Sequence, residues 1–190
     1  MIILSQAIGQ NYRKITLRHT GVFNEPIVPG VCAKVNGRWL AVAGNRQGEL
    51  DFILPAKHPL HSEEITEVQF PVGQGFLIGA LTSPIAVAVS GGTGIGAIIN
   101  LVEQRAAHGL QTHVIIYARN VKKEQILDAF PSLRRATILG CWDTAAKGRP
   151  STPLAMLSID NEPIVFFAGP KSLHEALSVD PRHPRIILNY

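Results

Sequence analysis

The chemistry this chain could perform concentrates in Ser90-Gly91-Gly92-Thr93-Gly94-Ile95-Gly96-Ala97. The apolar run Ile85 to Val89 precedes it, and Ile95, Ile98, Ile99 and Val102 follow at the three- and four-residue spacing of a helix face. Glycines there permit a tight turn and close ligand approach, while unpaired amides at a helix start face an anion with the positive end of the helix dipole. The matching ligand group is a diphosphate. Gly92, Gly94 and Ala97 give a G-x-G-x-x-A spacing, weak alone and stronger for having a strand before it and a helix after it. The competing reading is a glycine turn that only packs helix on sheet. Arg119 and Asn120, not an acidic residue, end the next apolar run, which departs from the ordinary Rossmann ribose contact.

Other reactive side chains give less. His58 and His61 are three apart but lack a helical pattern and a nearby third ligand, so no metal site is expected. Cys32 reads as a small buried hydrophobe, and His113 and His174 as packing or surface residues. Cys141-Trp142-Asp143 is expected just after a third parallel strand, at the carboxyl edge where open α/β sheets bind ligands. Trp142 could stack on a base there, or the tripeptide could cap the sheet under the loop from Ala145 to Pro153. No Ser/His/Asp order, paired-carboxylate pattern or HExxH supports a hydrolase.

The elements that must hold these residues change character along the chain. Up to about Ala80, KITLRH, VCAKV, RWLAVAG and ELDFIL are short β-rich runs separated by Gly, Pro and Asn, which predicts a small antiparallel β-barrel. A short helical turn is expected within His61 to Thr66, starting near Ser62. From about Leu81 the expected order is strand Ile85–Val89, helix, strand Thr112–Ala118, helix Lys123–Phe130, strand Ala136–Leu139, a loop through Pro153, strand Pro163–Phe167, helix Lys171–Leu177 and strand Arg185–Asn189. Gly109 is placed to stop the first helix. This is a mostly parallel α/β sheet. The expected domains are therefore 1–80, the barrel, and 81–190, the nucleotide-binding α/β unit.

Composition is consistent with a folded chain: 190 residues, 46% hydrophobic and 17% charged. The net charge of +4 comes from scattered basic residues, which argues against a nucleic-acid partner. Two cysteines cannot make a disulfide framework or an iron-sulfur cluster, and suit a reducing compartment. No secretory signal is read in MIILSQAIGQNYRK, so a cytoplasmic location is expected. Val68 to Val102 carries no charge, yet Pro71, Pro84 and seven glycines from Gly73 to Gly96 break it too finely for a membrane helix.

Gly91-Gly92-Thr93-Gly94-Ile95 resembles the GGTGI phosphate turn of the ferredoxin-NADP reductase superfamily; Tyr117-Ala118-Arg119-Asn120 resembles its YGARN segment and Ala168-Gly169-Pro170 its CGP. In the first half Pro29-Gly30 resembles its PGQ approach, and Arg38-Trp39-Leu40-Ala41 aligns with its flavin-binding RxYS. Val72-Gly73-Gln74-Gly75-Phe76 resembles the GxGF loop of dihydroorotate dehydrogenase electron-transfer subunits, and Tyr190 the terminal aromatic that stacks on the flavin in many members. Leu40 and Ala41 lack the phenol and hydroxyl of RxYS, Ala168 replaces the cysteine, and Gly96-Ala97 replace Thr-Pro.

The resemblance implies an oxidoreductase passing hydride between a nicotinamide nucleotide, NAD or NADP, and FAD in the cleft between the two halves, with a separate electron-acceptor protein. It places the dinucleotide diphosphate on Gly92 to Ile95, the nicotinamide end at Gly169 and Pro170, and the flavin against Arg38, Trp39 and the Gly73 to Phe76 loop, with Tyr190 shielding the ring. Arg119, Lys122 and Lys123 would lie at the adenosine end, where they could select a 2′-phosphate or simply begin a solvated helix. Cys141 could be a thiol near that redox centre, or part of the cap at the sheet edge. Two other readings stay open: a flavin-free nucleotide-binding module, and a structural or partner-binding descendant.

Overall fold

A computed structural model describes residues 2–19, 27–46, 48–76, 82–159 and 162–189. The first half contributes β1 (Ile2–Ile8), β2 (Tyr12–Arg18), β3 (Cys32–Val35), β4 (Arg38–Arg46), β5 (Glu49–Pro55) and β6 (Val68–Val72). They form a six-stranded antiparallel sheet in the order β1-β2-β5-β4-β3-β6. Asn36 and Gly37, both at positive φ, make the two-residue turn between β3 and β4. The expected barrel is therefore an open sheet: among the described residues no ladder joins β1 to β6.

The second half contributes β7 (Ile85–Gly91), α1 (Ile95–Ala107), β8 (Gln111–Ala118), α2 (Lys123–Ala129), β9 (Ile138–Asp143), α3 (Thr144–Lys147), β10 (Ile164–Ala168), α4 (Lys171–Ser178) and β11 (Arg185–Leu188). Its five strands are all parallel, in the order β11-β10-β7-β8-β9. After β9 the chain recrosses the sheet to enter β10 on the other side of β7. That reversal opens a crevice at the carboxyl ends of β7 and β10, the place where such sheets bind ligands.

β7 and β8 are apolar on both faces because both faces are covered. On one face α1 supplies Ile95, Ile98, Ile99 and Val102 to a core that also takes in Ile8, Ala43, Ile53 and Phe76 of the first half. Phe76 meets Phe166 of β10 edge to face, with ring centroids 5.3 Å apart. Asn100 in α1 donates from Nδ2 to the Val42 carbonyl of β4 at 3.1 Å. Lys14 of β2 donates to the Ala129 carbonyl and lies 4.8 Å from the centre of the Phe130 ring. The two sheets thus share one apolar core, pinned by polar ties. Gly109, at φ +70°, ends α1 as expected.

β1 and β6 are strands that the sequence does not announce; Pro71 is tolerated in β6 because that strand lies at the sheet edge. No helix starts at Ser62; a 3-10 turn over Pro59–His61 occurs instead, with Pro59 opening it and the His58 ring accepting from the Leu60 amide. A 3-10 segment over Pro131–Arg135 delays β9, whose ladder with β8 runs to Asp143. Cys141-Trp142-Asp143 therefore lies in the strand and not after it. Among the described residues no helix is long and apolar enough to cross a membrane.

Candidate functional site

The β7 strand ends at Gly91, a 3-10 turn covers Gly92–Gly94, and α1 starts at Ile95. No side chain caps either start, and no acidic residue occupies the first turn of α1. Backbone amides there are left for an anion. What each glycine is for can be read from the space around it. A methyl group at Gly91 would sit 2.5 Å from Pro170, one at Gly94 2.1 Å from the Ala168 carbonyl oxygen, and one at Gly96 2.9 Å from the Ala41 carbonyl oxygen. These three glycines allow backbone and helix to pack closely. Gly92 differs: its φ is +58°, and among the described residues a methyl there would face only the Tyr12 hydroxyl, 3.6 Å away. Close packing therefore accounts for Gly91, Gly94 and Gly96, and not for Gly92.

Around this turn lies a cleft of about 930 Å³ between the two sheets. The α/β wall is made of Gly91 to Gly94, Ala168, Gly169 and Pro170, with Arg119, Thr144 and Arg149 at the side of β8 and α3. The antiparallel wall is made of Tyr12, Cys32, Trp39, Ala41 and Pro55. Trp39 is 61% exposed, so its indole presents an open face. Among the described residues two arginines and no side-chain carboxylate line the cleft, which favours an anionic ligand. Burial pushes the Cys32 thiol above its ordinary pKa.

The residues singled out in the sequence divide between this cleft and other places. Gly91, Gly92, Thr93, Gly94, Trp39, Ala41, Arg119, Gly169 and Pro170 all line it, while Ile95 is buried directly beneath. Arg38 is elsewhere: its guanidinium holds both carboxylate oxygens of Glu63, at 2.7 and 3.0 Å. Leu40 is buried in the core of the antiparallel sheet, the inward alternate of Trp39 and Ala41. Gly73 and Gln74 are exposed away from the cleft; Gly75 packs on Pro29, and buried Phe76 donates its amide to the Pro29 carbonyl. Asn120 lines a separate hollow with Gly9 and Lys122. Tyr190 lies outside the described residues, although Asn189 before it reaches the cleft.

Cys141 faces the Val121 carbonyl, and burial pushes its thiol up to about 11. Trp142 donates from Nε1 to the Gly148 carbonyl, packs near Tyr117 and carries Lys147 over its ring. Trp142 braces the end of α3, and Cys141 the connection between β8 and α2. Asp143 accepts the Asn120 and Ala145 amides, each at 2.9 Å, and these bonds hold its carboxyl below the usual range. Among the described residues no cluster of three metal-ligating side chains occurs. Sequence reasoning misses Tyr12 and Arg149, and reads Cys32 as core although it pairs across the ladder with Ala41 at the cleft wall.

No family model and no curated protein matches this sequence. Solved structures do. The FAD/NAD-binding domain of nitric oxide dioxygenase from Vibrio cholerae superposes with a TM-score of 0.72 at 15% identity, covering 99% of this chain and 96% of that one. An NADH-dependent reduced ferredoxin-NADP oxidoreductase gives 0.71 at 17% identity, covering 98% of this chain and 74% of that one. This is the ferredoxin-NADP reductase fold. A type IV self-sufficient cytochrome P450 monooxygenase contains the same fold at 0.71 and 18% identity, with 97% of this chain covered. The chain spans 27% of that monooxygenase and 58% of a flavohemoglobin from Malassezia yamatoensis. In the ferredoxin reductase fold seen here, the glycine turn, the Gly169-Pro170 corner and the Trp39 wall meet at the junction of the two sheets.

Proposed function

We propose that this chain binds a nicotinamide dinucleotide, NADH or NADPH, in the cleft and exchanges electrons between it and FAD, delivering them to a separate acceptor protein. The observation that carries this reading is the Gly92 turn, with left-handed backbone, open space where a side chain would be, and uncapped amides at the start of a 13-residue helix. A diphosphate fits that cradle. Arg119 and Arg149 offset its charge, and Gly169 and Pro170 bound the far end of the α/β wall. The cleft residues supply no acid or base to the transfer itself; they orient and shelter.

FAD is tested by the opposite wall. Trp39 offers a ring face, Tyr12 a hydroxyl and Cys32 a thiol, which suits a flat heteroaromatic with polar edges. Bound there, FAD would supply a carrier that takes two electrons together and passes them on singly. Among the described residues no cation belongs to that wall, and Arg38 is paired with Glu63. The flavin's own diphosphate would rely on backbone amides and the two shared arginines.

That pairing supports a second reading, a flavin-free module that binds the nicotinamide nucleotide alone. The purified protein distinguishes the two. Flavin absorbance in the protein as isolated or after reconstitution with FAD, together with calorimetric binding of NADH or NADPH, supports the reductase. Nucleotide binding with no FAD uptake supports the module. Binding of neither removes both.

A further inference from the structure

Tyr12 begins β2 in the antiparallel sheet, yet its hydroxyl lies over the glycine turn of the parallel sheet, 3.6 Å from where a Gly92 methyl would be. Its position is fixed from three sides. The β1–β2 hairpin packs its Gly9 tip against the Asn120 carbonyl, Asn11 donates from Nδ2 to the Arg119 carbonyl at 3.0 Å, and the Tyr12 ring packs on the core shared by the two sheets. Held in this way, the phenol donates to no described residue and faces the cleft. A phenol hydroxyl can be donor or acceptor, but beside a cluster of unpaired amides it complements an anionic oxygen as one more donor.

We propose that the Tyr12 hydroxyl donates a hydrogen bond to the diphosphate of the bound dinucleotide, so that the ligand is gripped from the antiparallel sheet as well as from the Gly92 turn. This rests on the nucleotide-binding reading of the cleft and adds to it a donor from the other half of the chain. The diphosphate can belong to the nicotinamide nucleotide or to the flavin nucleotide, and the two are separated by probe.

Tyr12→Phe removes one oxygen and keeps the packed ring. Wild type and variant are titrated by calorimetry with ADP-ribose in one arm and FAD in the other, and their thermal midpoints are recorded with and without each ligand. A hydrogen bond to a charged group implies about tenfold weaker binding of the diphosphate that Tyr12 contacts. The ligand-free midpoint should be unchanged, and the ligand-induced rise should shrink. Weakening in the ADP-ribose arm assigns the contact to the nicotinamide nucleotide, and weakening in the FAD arm to the flavin. Equal affinities of wild type and variant for every probe that binds would overturn the Tyr12 assignment alone. A wild type that binds neither probe would overturn the nucleotide reading with it.

Discussion

Gly92 and Gly94 are two residues apart in one motif, but they should fail in different ways. At Gly92 the φ of +58° disfavours any side chain, so Gly92→Ala should cost about 1–2 kcal/mol of stability. Its methyl would also enter the space assigned to phosphate, so a folded variant should lose nucleotide affinity at least tenfold by calorimetry. Gly94→Ala would drive a methyl to 2.1 Å from the Ala168 carbonyl, and circular dichroism melting should show a severely destabilised protein before any ligand is added. The sequence identifies the turn because glycine spacing is local. It does not reveal which glycine serves the ligand, because that depends on the corner at Ala168 to Pro170, far along the chain. Cys32 allows a test by pH. With its pKa raised by burial, thiolate is scarce at neutral pH, so alkylation should accelerate as pH rises beyond the ordinary thiol value. A bound dinucleotide should slow it. Cys141, pushed up to about 11, should react later still, as mass spectrometry of each labelled peptide would show.

Among the elements, legibility follows burial. β7, β8 and β10 are readable as continuous apolar runs because helices or another sheet cover both faces. β1 and β6 are not, since edge strands need little apolar pattern and β6 tolerates a proline. The inward alternation of β4 also explains Leu40: Trp39 and Ala41 face the cleft, and the residue between them must point into the sheet's own core. Arg149 gives no signal in the sequence because it stands in a loop, where no periodicity announces its direction. Arg38 is legible as a motif residue, but its partner Glu63 depends on the folded path after β5. Arg38→Ala should therefore change nucleotide affinity less than twofold by calorimetry. It should cost no more than about 1 kcal/mol in a denaturant titration, since both partners are partly exposed.

At the scale of the molecule, the change of sequence texture along the chain reflects an antiparallel sheet followed by a parallel one. It does not by itself say whether the halves fold apart. The largest core contains Ile53 and Phe76 beside Ile98 and Phe166, so calorimetric unfolding should show one transition. Phe76→Ala should lower that single transition by about 3–5 kcal/mol without resolving it into two.

The contact between Gly96 of α1 and the Ala41 carbonyl of β4, too tight for even a methyl, has a consequence for traffic through the protein. Jaws joined at this root and along the core that both sheets share should keep a fixed angle. A molecule exchanging here would slide in and out past the outer lip, so the pace of exchange should be set by what stands at that lip, Trp39 first, rather than by any hinge.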